Sequence, residues 1–91
     1  MYQIITSNQF KKDLKLAQKR GLDMSLLKEV VNKLAKGEKL EIKYRDHQLT
    51  GDYCKFRECH IEPDWLLVYK IEDLELELFL FRTGTHSDLF R

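Results

Sequence analysis

The apolar positions of this chain change period twice. Tyr2-Gln3-Ile4-Ile5-Thr6 is rich in β-forming residues and predicts a first strand. Ser7 has the character of a helix N-cap, and Phe10, Leu14 and Ala17 then recur at helical spacing with lysines between them. Gly21 offers a left-handed residue to end that helix. Asp23 or Ser25 opens a second helix, whose apolar face is Leu26, Leu27, Val30, Val31 and Leu34, and Gly37 ends it. So short a link between two helices predicts an antiparallel hairpin.

Residues 38–52 carry few periodic signals, and residues 43–52 read as a polar, mostly irregular connection. The remainder predicts a meander. Tyr53 to Ile61 is a second strand, and Glu62-Pro63-Asp64-Trp65 is a turn with proline at its second position. Trp65 to Ile71 is a third strand, apolar on both parities over Trp65-Leu66-Leu67-Val68-Tyr69, which predicts a central strand covered on both faces. Glu72-Asp73 turns the chain into a fourth strand, Leu74 to Arg82. Leu74, Leu76, Leu78 and Leu80 should share one face there, with Glu75, Glu77, Phe79 and Phe81 on the other. Ser87 to Phe90 closes with one helical turn. The expected class is α+β, ordered β-α-α-β-β-β, with the helical hairpin packed on a four-stranded, mostly antiparallel sheet.

Composition limits what such a fold does. The 91 residues fit a single domain, 1–91, with a thin core. Hydrophobic residues make up 43% and charged residues 34%, and mean hydropathy is -0.49, which predicts a soluble protein. There is no apolar run of membrane-spanning length, and the first residues lack the pattern of a signal peptide. A cytoplasmic location follows, and Cys54 and Cys59 are then expected to be reduced thiols. Five residues apart in one strand, they would face opposite ways. Net charge is only +1, but it is unevenly spread. Lys11, Lys12, Lys15, Lys19 and Arg20 crowd the first helix, and Glu72, Asp73, Glu75 and Glu77 cluster near the end. The basic run is either a solvated face or an RNA-facing one.

All three histidines lie at turns or strand ends in the second half. His60 ends the second strand and Asp64 lies across the turn from it, so the two are expected to pair. Such a pair either moves protons or locks the turn through a structural hydrogen bond. His86 leaves the sheet just after Gly84, and His47 lies in the polar connection. Rim histidines with Arg82, and with Lys43 or Arg57, suit RNA cleavage without a metal. One base takes the 2′-hydroxyl proton, one acid protonates the leaving oxygen, and a cation meets the charge on phosphorus. Trp65, Phe90 and Tyr44 are candidates to stack on unpaired bases, although Trp65 serves equally well as a core anchor. A zinc site built from His47, His60, His86 and Asp64 is the rival chemistry. The ligand types fit, but no short His-x-x-x-His or Cys-x-x-Cys spacing supports it.

Three motifs in order then carry a resemblance. Asp46-His47-Gln48-Leu49-x-Gly51, the run from Phe56 to Lys70, and Arg82-Thr83-Gly84-Thr85-His86-Ser87-x-Leu89-Phe90 resemble the YafQ-type toxins, a branch of the RelE/ParE superfamily of toxin–antitoxin systems. Lys15-Leu16-Ala17-Gln18-Lys19-Arg20 is similar too, so the likeness spans essentially the whole chain. The resemblance implies a RelE-like fold and an endoribonuclease that enters the ribosomal A site and cuts translated mRNA, with no cofactor. It also implies a cognate antitoxin that wraps and blocks the toxin. It implies functional positions at His47, His60, Asp64, Trp65, Arg82, His86 and Phe90. His86 is then the general acid, and His47 or the His60–Asp64 pair the base. Arg82 stabilises the phosphorane and Phe90 places the nucleotide. A ParE-like toxin that inhibits a protein target such as gyrase without catalysis is the alternative within the superfamily.

Overall fold

A computed structural model describes residues 1–90. A five-stranded sheet is covered on one face by two helices. The strands are β1 (Gln3–Thr6), β2 (His47–Gln48), β3 (Arg57–Glu62), β4 (Trp65–Glu72) and β5 (Glu77–Gly84), in the order β1-β5-β4-β3-β2. Helices α1 (Asn8–Lys19) and α2 (Met24–Ala35) follow β1, and a four-residue helix α3 (His86–Leu89) follows β5. Only β1 and β5 pair in parallel, and the three other pairings are antiparallel. The α+β class, the helical hairpin and the closing helical turn agree with the sequence. The sheet gains a fifth strand, because His47 and Gln48 leave the expected loop to pair with Glu58 and Arg57 at the edge. A two-residue strand is too short to leave a period in the sequence.

The helix ends follow local chemistry. The Ser7 side chain accepts from the Phe10 amide at 2.9 Å, and Asp23 rather than Ser25 caps α2 by accepting from the Ser25 amide. Both helices stop at glycines with positive φ, Gly21 at 76° and Gly37 at 78°. Phe10, Leu27, Val30, Val31, Leu34 and Ala35 enter one core with Cys59, Ile61, Trp65, Leu67, Tyr69, Leu78 and Leu80 from the sheet. β4 lies at the centre, and its residues Trp65 to Tyr69 are all buried. Val68, on the face away from the hairpin, lines a small hollow with Tyr53, Phe81, Leu89 and Phe90.

Two expected strands are shorter than the sequence predicts. Residues 51–53 form a tight helical turn, so β3 begins at Arg57 and the exposed Cys54 lies outside it. The strand-parity argument for the cysteines therefore does not apply, though both are free thiols. Likewise β5 begins at Glu77. Residues 73–76 form the turn, with Leu74 and Leu76 exposed at 98% and 61% and Leu76 at a φ of 54°. The leucine alternation looked like a strand, but pairing Glu72 with Glu77 requires a tight reversal there. Among the described residues no helix is long and apolar enough to cross a membrane.

Candidate active site

The sheet face opposite the hairpin collects the titratable residues, and strand alternation explains why. Cys59 and Ile61 enter the core, so Glu58 and His60 point the other way. Register sets His47 against Glu58 at the β2 edge. It also aligns His60, Leu66 and Gly84 in one row across three strands. The chain leaving β5 at Gly84 thus starts α3 close to His60. The His60 and His86 rings lie 5.6 Å apart between centroids.

Helix α3 is short but firmly tied. Thr85 caps it, the Asp88 amide donates to the Thr85 hydroxyl at 3.1 Å, and the Asp88 carboxylate accepts from the Thr85 amide at 3.0 Å. Arg20, at the end of α1, donates to the same carboxylate at 2.7 Å. These bonds hold the Asp88 carboxyl well below the usual carboxylate range, Arg20 first among them. Gly84 leaves room for this arrangement, since a Cβ there would lie 2.9 Å from Asp88 Oδ2 and 3.0 Å from its Cβ.

Asp64 orients His86. Its Oδ1 accepts from the His86 amide at 3.0 Å and lies 2.7 Å from His86 Nδ1. The amide bond and the ring contact keep the Asp64 carboxyl below its ordinary value. A ring that donates from Nδ1 directs Nε2 away from Asp64. The expected His60–Asp64 pair does not form. Asp64 sits in the reversal between β3 and β4, where a bulge between His60 and Glu62 puts Trp65 opposite Glu62. His60 Nδ1 instead faces the Pro63 carbonyl at 3.2 Å.

Glu58 is the residue that sequence reasoning missed. It is buried, with one carboxylate oxygen 3.7 Å from Nε2 of both His47 and His60. A buried carboxylate needs cationic or hydrogen-bonding company, and both imidazoles lie within ion-pair distance of it. Its signal was the two-residue spacing to His60 on a strand whose intervening residue is apolar. Ligand atoms of Glu58, His60 and His86 lie within 4.8 Å of one another. Two imidazoles and a carboxylate suit zinc or copper. The rival zinc set is therefore corrected: His47 and Asp64 stand outside the cluster, and Glu58 replaces them.

The other candidates divide. Arg82 lies beside the site, and its Nε donates to Asp13 of α1 at 2.8 Å. Phe90 is 43% exposed and meets Tyr53 edge-to-face at 6.5 Å between centroids. Lys43 stands over the Tyr44 ring at 5.1 Å and lines a hollow that reaches His60. Arg57 is committed to Asp46 at 3.1 Å, in a group that includes the Tyr69 hydroxyl. Trp65 and Tyr44 are buried and present no open ring face to a base. Trp65 is the core anchor, and its Nε1 donates to the Thr83 hydroxyl at 3.0 Å.

Residues 2–91 match the family model described as the bacterial toxin of the type II toxin–antitoxin system, YafQ. The mRNA interferase toxin YafQ of Escherichia coli K12 is 46% identical over 85 residues, covering 92% of this chain and 90% of that protein. The crystal structure of a metal-bound toxin from Helicobacter pylori superposes with a TM-score of 0.93 at 52% identity, covering 99% of this chain and 100% of that one. The toxin of the E. coli DinJ–YafQ complex gives 0.90 at 44% identity, covering 99% and 98%. Family model, sequence identity and superposition agree, and the chain belongs to the YafQ family of type II toxin–antitoxin toxins.

Proposed function

We propose that this toxin is an mRNA interferase that cuts translated mRNA in the ribosomal A site by acid–base catalysis. The convergence of His60, His86 and Glu58 on one open face carries the reading. His60, backed by Glu58 and His47, takes the proton of a ribose 2′-hydroxyl. The freed oxygen attacks the adjacent phosphorus, and the Arg82 guanidinium meets the charge of the phosphorane. His86, held by Asp64, gives a proton to the departing 5′-oxygen. A 2′,3′-cyclic phosphate and a 5′-hydroxyl result, and each proton-transfer group contributes about 10²–10⁴-fold. No step needs a metal. Phe90, exposed beside Arg82, stacks on a base next to the scissile phosphate. Trp65 and Arg57 act from within the fold, and Lys43 lines the approach to His60.

The partners follow from this chemistry. A cognate antitoxin silences the enzyme by covering the open face, as suits a relative crystallised with DinJ. The ribosome supplies much of the substrate affinity, so a net charge of +1 suffices when Lys11, Lys12, Lys15 and Lys19 make one helix basic. Both partners suit a cytoplasmic protein. The test is His86→Ala. Loss of mRNA cleavage in a variant that still folds and binds antitoxin supports the assignment, and full cleavage by it would overturn it.

A further inference from the structure

Asp13 is an anomaly on α1. It stands three residues after Phe10 and four before Ala17, on the helix face that enters the core, and is only 8% exposed. A buried carboxylate costs several kcal/mol unless fully partnered. Every partner but one lies on β5. Arg82 Nε donates to Oδ2 at 2.8 Å and Nη2 to Oδ1 at 3.3 Å, and the Thr83 amide donates to Oδ2 at 3.1 Å. The remaining bond, from Gln9 Nε2 at 3.2 Å, comes from its own helix. Together these fix the guanidinium plane at two points. Arg82 shares the face of Val68, its partner across the β4–β5 ladder, and lines the hollow formed with Phe90 and Tyr53. It therefore stands between α1 and the catalytic face, and the Nε/Nη2 edge is spent on Asp13.

We propose that Asp13 is a positioning residue for phosphoryl transfer, acting through Arg82 to aim the rest of the guanidinium at the scissile phosphate. This rests on the role given to Arg82 above. A guanidinium that must meet a developing charge gains from being fixed beforehand, and a misplacement of about 1 Å costs about 10²-fold in rate. Arg20, which ties α1 to Asp88 of α3, braces the same helix against the segment that carries His86 and Phe90.

The experiment is a double-mutant cycle on single-turnover mRNA cleavage in programmed ribosomes, with ribosome affinity measured alongside. Asp13→Asn keeps size and one acceptor oxygen but loses the charge and the two-point grip. It should lower the cleavage rate about 10–10²-fold, leave ribosome affinity unchanged, and have no further effect in an Arg82→Ala background. Asp13→Glu, which retains the charge but shifts the carboxylate, should also lower the rate in a fully folded protein, which covers the case of an unstable Asn variant. Additive losses in the cycle, or an Asp13→Glu enzyme of unchanged rate, would overturn the inference alone. An Arg82→Ala enzyme of full activity would overturn the role of Arg82 and this inference with it.

Discussion

One oxygen of Asp64 holds His86 twice, through its backbone amide at 3.0 Å and its ring Nδ1 at 2.7 Å. The carboxylate of the β3–β4 turn thus serves the histidine that is distant in sequence, not His60. Asp64→Asn should keep the fold, because the contact is exposed at the rim. It should lower the cleavage rate about tenfold, the effect of ~1.4 kcal/mol on the barrier. His86→Gln should cost more, about 10²–10⁴-fold. Single-turnover cleavage of the two variants checks the order. Equal losses would mean that Asp64 does more than orient.

Gly84 should be intolerant of any side chain. An added Cβ would come within 3.0 Å of the Asp88 Cβ, a part of the side chain that cannot swing away without moving α3. Gly84→Ala is predicted to displace α3 and reduce cleavage with a small loss of stability. In the Asp88→Ala background the Cβ at position 88 remains, so Gly84→Ala should still displace α3 and reduce cleavage, measured by cleavage rate and thermal melting.

Trp65 and Phe90 separate stability from function. Trp65→Ala removes a core ring and should destabilise by about 3–5 kcal/mol in denaturant unfolding. Phe90→Ala, half exposed at the end of α3, should leave the unfolding midpoint nearly unchanged but weaken cleavage. Similar stability losses in the two variants would contradict the division.

The first half of the chain was legible because its signals are local. Ser7, Asp23, Gly21 and Gly37 mark helix ends by side-chain hydrogen bonds and positive φ, which need no partner strand. The central position of β4 was legible from its unbroken apolar run. The misses depend on what lies opposite. Leu74 and Leu76 alternate like strand residues, yet the Glu72–Glu77 pairing forces them into a turn. The site was readable as a set of residue types but not as pairs. The bulge after His60, which gives Asp64 to His86, and the β2 edge that brings His47 to Glu58 are both properties of register. Glu58 and Asp13 were passed over because a carboxylate in an element reads as surface until its neighbours are known.

Zinc or copper should inhibit this enzyme instead of driving it. An ion bound by Glu58, His60 and His86 would occupy the nitrogens that move protons. Added Cu²⁺ should slow cleavage, and a chelator that spares ribosomal magnesium should restore it. His60→Gln should weaken copper binding in calorimetry. Activation by the metal would contradict the proton-transfer roles.

The chemistry of the cut ends distinguishes attack by the ribose from attack by water. Attack by the neighbouring 2′-hydroxyl must leave a 2′,3′-cyclic phosphate, or the monophosphate from its opening, and a 5′-hydroxyl on the downstream fragment. The measurement is end-group analysis of mRNA cleaved in translating ribosomes by the purified toxin. Downstream fragments should accept label from polynucleotide kinase without prior phosphatase treatment. Fragments bearing 5′-phosphate and 3′-hydroxyl ends would show that water, not the ribose, is the nucleophile, and would contradict it.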